Sequence, residues 1–90
     1  MLSTIRGMLR VPGTEYDTEI QLLINACKAD LSQSGLIVEM MDADDPLLTQ
    51  AVACYCKAYF GLENKDKEGY EKSYDKLKSD LLVSSGLVSD

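Results

Sequence analysis

The sequence predicts an all-α fold: a small bundle of about four helices, a short N-terminal one and three longer ones, with a long loop between helices two and three. Three observations predict it. Apolar residues recur at spacings of three and four along most of the chain, the pattern of helices that bury one face. The patterned segments are separated by strong breakers at Val11-Pro12-Gly13, Ser34-Gly35, Gly61 and Ser84-Ser85-Gly86. Only Leu36-Ile37-Val38 suits an extended conformation, and no neighbouring segment offers it a strand to pair with.

Taken in order, Ser3 can cap a short first helix that runs to about Leu9, with Ile5, Met8 and Leu9 as its apolar contacts and Gly7 as a weak point. Tyr16-Asp17 opens the second helix, and Glu19 puts a favourable negative charge near its N-terminus. Ile20, Leu23, Ile24, Cys27 and Leu31 form a narrow stripe for one partner surface. Leu22, Ala26 and Ala29 lie on a second, weaker stripe. A helix in a monomer needs only one such face, so the second is a candidate contact with a neighbouring subunit. The helix ends at Ser34-Gly35.

Gly35 to Asp45 reads as a loop, long for so small a domain and therefore functional or mobile. It carries the adaptable apolar pair Met40 and Met41 and the acidic run Asp42-Ala43-Asp44-Asp45. The third helix is the centre of the bundle. Asp44 or Asp45 caps it, Pro46 occupies its first position, where a missing N–H is harmless, and Gly61 suits the left-handed residue that closes it. Between them Leu47, Leu48, Ala51, Val52, Tyr55, Ala58 and Tyr59, with Cys54 and Cys56, cover about half the circumference. The fourth helix runs from about Lys65 or Asp66 to Val83. Tyr70, Tyr74, Leu77 and Leu81 make one thin stripe, and Glu68 and Lys72 are spaced to pair. Residues 84–90 read as a flexible tail in which Leu87 and Val88 are either frayed or inserted into a partner.

Ninety residues make a single domain, residues 1–90, with a core small enough that oligomerisation is a common remedy. The net charge is −6, and most of it falls in the first half of the chain. That balance disfavours a domain that grips DNA. No signal peptide and no membrane-length apolar run is read, so no membrane partner is expected. Three cysteines without paired spacing argue against a disulfide framework and fit synthesis in a reducing cytoplasm.

Candidate chemistry is sparse. There is no histidine. Cys54 and Cys56 differ by about 200° around a helix and so do not form a ligand pair. Asp42, Asp44 and Asp45 lack the central glycine and terminal glutamate of a calcium loop. Asp17, Glu19 and Asp30 read as a solvated face, and the lysines of the fourth helix are interleaved with acids. No cofactor, metal site or catalytic set is expected, and the chain is not read as an enzyme. Phe60 falls on the side of the central helix that carries Thr49, Gln50 and Lys57, where it either marks a contact surface or packs the helix end. No role is assigned to Cys27, Cys54 or Cys56.

Over nearly its whole length the chain resembles the small helical head–tail connector proteins of tailed bacteriophages, also described as head-completion or DNA-packaging proteins. The resemblance rests on Tyr16-Asp17-Thr18-Glu19-Ile20-Gln21-Leu22-Leu23-Ile24-Asn25-Ala26, on Ala29-Asp30-Leu31 with Ser34-Gly35, and on Asp45-Pro46-Leu47-Leu48 with Ala51. It continues through Tyr55-Cys56-Lys57-Ala58-Tyr59-Phe60-Gly61 and Lys72-Ser73-Tyr74-Asp75-Lys76-Leu77-Lys78, then Leu81. The order and spacing of these segments carry it, not any single one.

The resemblance implies a structural neck subunit of the virion. Copies would form a homo-oligomeric ring beneath the portal protein after DNA packaging. The ring would extend the DNA channel, without sequence-specific binding, and present a surface to the next neck or tail-completion protein. It brings no catalytic residues. The candidate interface comes instead from helical faces and apolar loop residues: Leu22, Ala26, Ala29, Met40, Met41, Phe60, Leu87 and Val88. The alternative reading is a small helical DNA-associated packaging or regulatory protein, whose recognition element would be the lysine-bearing fourth helix.

Overall fold

In the computed structural model, which describes residues 1–42, 45–61 and 65–84, the expected helices appear as α1 (Leu2–Met8), α2 (Asp17–Gln33), α3 (Pro46–Tyr59) and α4 (Lys67–Ser84). The protein is all-α, with no extended strand among the described residues.

The caps explain most boundaries. Asp45 is the N-cap of α3, its Oδ1 accepting the Leu48 N–H at 3.0 Å, with Pro46 in the first turn. Asp44 lies outside the described residues. Gly35 follows α2 at φ 104°. There the Gly35 N–H bonds to the Ser32 carbonyl and the Leu36 N–H to the Leu31 carbonyl, at 3.0 and 3.1 Å. That pair of bonds is the usual glycine closure of a helix, and the flanking Leu31 and Leu36 are both buried as the closure favours. Gly61 takes φ 90° after α3, as its position predicted.

Two expectations need correction. The first helix starts at Leu2, with Met1 as N-cap and no side chain capping it; Ser3 is exposed inside the first turn. Starting two residues earlier places Leu2 on the same face as Ile5, Met8 and Leu9, all packed on the core. Leu36-Ile37-Val38 keeps extended character only at Leu36, a single bridge residue. Leu36 and Val38 drop into the core, and Val38–Met40 wind into a 3₁₀ turn. Beyond that one bridge residue the backbone satisfies itself locally, Met41 N–H bonding to the Val38 carbonyl at 3.0 Å.

α3 is the central helix, touching α1, α2 and α4 alike. Leu48, Ala51, Val52, Ala53, Cys56 and Ala58 are buried on it. At 100° per residue they span about 220° of its circumference, which is why more than one partner is needed to cover them. The burial is not quite the predicted stripe. Ala53 is sealed, whereas Leu47 and Tyr59 remain exposed. α2 contributes Ile20, Ile24, Cys27 and Leu31 as expected, α1 contributes Ile5, and α4 contributes Tyr74 and Leu81. Glu68 and Lys72 pair at 3.3 Å on the outer side of α4.

Removing the α3 cap by Asp45→Ala is expected to lower unfolding free energy by about 1 kcal/mol. Leu48→Ala, which empties a site 1 % exposed, is expected to lower it by about 2–5 kcal/mol. Urea denaturation followed by circular dichroism checks both values and their order.

Candidate interaction surfaces

The outward face of α2 follows from helical geometry. Ile20, Ile24, Cys27 and Leu31 are turned inward and buried. Leu22, Ala26 and Ala29 lie about 170° away and are exposed, Leu22 by 63 %. They form one strip along the helix, with about 10 Å of axis between Leu22 and Ala29. Near one end, Leu22 and Leu2 share a shallow apolar hollow with Thr18 and Gln21. Towards the other, Ala29 and the half-buried Met41 line a groove with Lys28, Ser32, Val38 and Glu39. Met40 stands beside it on the 3₁₀ turn, 65 % exposed. Five of the predicted interface residues therefore lie on α2 and the turn that follows it.

Phe60 stands apart from that group. It is half-buried, its ring edge-on to Tyr16 at 5.7 Å. It floors a hollow of about 430 Å³ where the end of α1, the end of α3 and the start of α4 converge. Met8, Leu9 and Tyr70 supply the remaining apolar wall; Arg10, Lys57 and Asp66 supply the charge. Leu87 and Val88 lie outside the described residues.

Polar clasps hold the helices that carry these surfaces. The Arg6 guanidinium grips Asp17 with two bonds, from Nε at 2.8 Å and Nη2 at 2.7 Å, tying α1 to the first turn of α2. Across the bundle, the Tyr74 hydroxyl donates to Asp30 Oδ2 at 2.6 Å and Lys78 Nζ donates to the same oxygen at 3.2 Å, tying α4 to α2. Tyr59 donates to Glu71 at 2.9 Å, tying α3 to α4. Asp17 and Asp30 are thus structural partners and not the solvated face expected of them. For Asp30 a signal existed: Tyr74 and Lys78 are four apart on α4, one donor above the other on the same side. For Arg6 and Asp17, eleven residues apart across a turn, nothing in the spacing pointed to the pair.

The electrostatics of the clasps and buried thiols follow from hydrogen bonding and burial. The Tyr74 hydrogen bond, with Lys78 beside it, holds the Asp30 carboxyl below its usual range against the opposing effect of burial. Burial, then the Asp30 hydrogen bond, pushes Tyr74 well above the usual phenol range. Burial lifts the Cys27 and Cys56 thiols each to about 12 and raises Cys54 as well. The Glu71 hydrogen bond raises Tyr59 to about 12. Each of these groups is displaced away from neutrality, the opposite of what a proton carrier needs. Among the described residues no three His, Cys, Asp or Glu side chains converge to hold a metal ion, and no helix is long and apolar enough to cross a membrane.

An all-α domain with apolar strips left on its surface, and ion pairs spent on holding its helices in place, has the make-up of an interaction module. The chain belongs to the phage connector family: the family model described as phage connector protein matches residues 1–87. No curated protein and no solved structure gives a match. The resemblance read from the residues is thus confirmed, and with it a structural role in joining head to tail, as a component of the virion that works with other phage head and tail proteins.

Two predictions follow from the clasp and the thiols. Asp30, lowered in the folded state, adds stability that is complete above the unfolded value near 3.8 and is lost as pH falls through the lowered value. Tyr74, raised in the folded state, adds stability that is complete below 10 and is lost as pH rises from there towards its raised value. Tyr74→Phe is expected to flatten both limbs of the stability–pH curve and to cost about 1–2 kcal/mol near neutrality, since Asp30 is partly solvated and the bond is screened. In the native protein Cys54, half-buried, should alkylate first, with Cys27 and Cys56 reacting only on unfolding; mass spectrometry of timed samples reads the order.

Proposed function

We propose that the chain is the neck subunit of a tailed bacteriophage. Made in the host cytoplasm, its copies form a ring on the portal protein after the genome is packaged, extend the DNA channel, and present the next neck or tail-completion protein with its docking surface. The observation that carries this reading is the family match, which takes in 87 of the 90 residues. The exposed strip of α2 supports it. A helix with one face in its own core and a second apolar strip on the outside suits a subunit completed by neighbours. A cyclic ring needs two different contact surfaces on each copy, and the α2 strip and the Phe60 hollow are two such surfaces. Leu87 and Val88 remain candidates for the same role.

The charge supports a conduit. A chain of net charge −6 repels phosphate, so a channel built from it would let DNA slide. The alternative, a small DNA-associated packaging or regulatory protein, is less well supported, because three of the four lysines of α4 stand beside a carboxylate. On α4, Lys72 pairs with Glu68, Lys76 with Asp80, and Lys78 with Asp30. Interleaved acids of this kind make α4 a mixed-sign face rather than a uniformly basic one.

Sizing of the purified protein over a range of concentrations, with electron microscopy of the larger species, is expected to reveal closed rings. Where the free protein stays monomeric, mixing with portal particles is expected to give a ring on the portal. Absence of binding to portal particles, or retention on DNA at moderate salt, would overturn the reading.

A further inference from the structure

α1 is held on the bundle by contacts that a second copy supplies equally well. Ile5 is fully buried, and Leu2, Met8 and Leu9 pack beside it on the core that α2 and α3 provide. Among the described residues, the only side-chain hydrogen bonds from α1 to another element are the two from Arg6 to Asp17. A helix of seven residues does not persist alone in water, so α1 folds only where this site receives it. The site has no means of telling its own α1 from that of a neighbour, because identical copies carry identical arms.

The segment between α1 and α2 is loosely held and strained. Arg10, Pro12, Gly13, Thr14 and Glu15 are exposed and Val11 is half-buried. Among the described residues none of their side chains makes a hydrogen bond or ion pair. Backbone bonds alone fix the turn: the Arg10 N–H bonds to the Gly7 carbonyl at 3.1 Å and the Val11 N–H to the Arg6 carbonyl at 3.2 Å. Closing α1 this way puts Arg10 at φ 59°, the one non-glycine with positive φ among the described residues, where α2 and α3 are followed by glycines at φ 104° and 90°. A Cβ in the left-handed region crowds the backbone, so the docked position of α1 carries strain that the other helix ends avoid. Straightening the segment gives its two closure bonds to water and lets Arg10 leave that region. At the far end, the Tyr16 ring stands edge-on to Phe60 at 5.7 Å and keeps the start of α2 on the body.

We propose that α1 is an arm exchanged between copies of this chain: residues 1–9 leave their own α2 and α3 and fill the same site on a second copy, Arg6 of one chain gripping Asp17 of the other. The inference rests on the neck-ring reading and names how neighbouring subunits are joined.

The structure selects the occupant, because the site is already filled by the segment that fits it. Reach allows the exchange. The six residues Arg10–Glu15 span about 20 Å when extended, and the subunit measures 19 Å across its shortest dimension. Packing does not oppose it, since every contact of α1 is re-formed across the subunit boundary, and the release of strain at Arg10 favours it. Each subunit then gives one arm and receives another. These are two different surfaces, as a head-to-tail contact that closes into a ring requires.

The test is analytical ultracentrifugation of the full chain up to about 1 mM, with wild type, R6D, D17R, an equal mixture of R6D and D17R, and R10G. R6D and D17R each set like charges against one another within a chain. Mixed, they recover opposite charges only by exchange: the arm of R6D meets the body of D17R, and the arm of D17R, which keeps Arg6, meets the body of R6D, which keeps Asp17. Wild type is expected to self-associate, and the mixture to associate about tenfold more tightly than either variant alone. R10G should melt at the wild-type temperature or a few degrees higher, because glycine relieves the strain of the docked arm, yet associate about tenfold more weakly. A wild type that stays monomeric, a mixture that associates no better than its components, or an R10G that associates like wild type would each overturn the exchange. If wild type binds portal particles in those cases, the exchange alone has failed and the neck role stands.

Discussion

Keeping α3 out of water on several sides at once is the constraint from which the rest of the bundle follows. Small side chains make it possible. Ala51, Ala53, Cys56 and Ala58 are all buried on this helix, and only Leu48 and Val52 are larger. The bulk comes from the surrounding elements: Ile5 from α1, Ile20, Ile24 and Leu31 from α2, Leu81 from α4. Close helix approach depends on such pairing of small residues with large ones at the contact. α1 is only seven residues long, too short to hold together alone in water, and it persists because Ile5 is sealed against its neighbours and Arg6 is locked to Asp17.

The parts of this arrangement that repeat or punctuate were legible in the sequence. The inward stripe of α2, the thin stripe of α4, the Asp45-Pro46 start and the glycines that close α2 and α3 each follow from spacing or backbone chemistry that a single chain displays. What was missed depended on partners brought from elsewhere. Ala53 lies off the predicted stripe, yet that side of α3 is buried as well. Ser3 had the chemistry of a cap, but the burial of Leu2 moved the helix start past it. Leu36 and Val38 had strand-like side chains, but only Leu36 makes a bridge, and packing with local hydrogen bonds winds Val38 into the 3₁₀ turn.

The surfaces were legible to different degrees for the same reason. The outward residues of α2 could be placed by geometry alone, since a helix with one face in the core must turn the opposite residues away. Phe60 could be placed only to within two alternatives. The structure puts it against Tyr16, from the segment just before α2, and in one hollow with Tyr70 of α4, at a meeting of elements far apart in sequence. Arg10 carried no signal at all. A Val11-Pro12-Gly13 turn was expected to break the first helix, and Gly13 does take φ 78°, but the left-handed residue that closes α1 is the arginine before that turn, at φ 59°.

The polar clasps connect this packing to the role of the outward strip. Viewed down α2, the core residues and the Leu22 strip lie on opposite sides. Asp17 and Asp30 fall near the two boundaries between them, on opposite flanks and about 20 Å apart along the axis. An apolar stripe alone fixes the rotation of a helix loosely, because hydrophobic contact is non-directional and neighbouring side chains can exchange places. A two-bond arginine clasp at one end and a tyrosine–lysine clasp at the other are directional, and rotating α2 in either sense would break one of them. Their net contribution to stability is modest, since both are partly exposed to solvent. Their effect is on orientation: they hold Leu22, Ala26 and Ala29 at a defined angle to the rest of the subunit, which is what a part that must meet other proteins in one geometry requires.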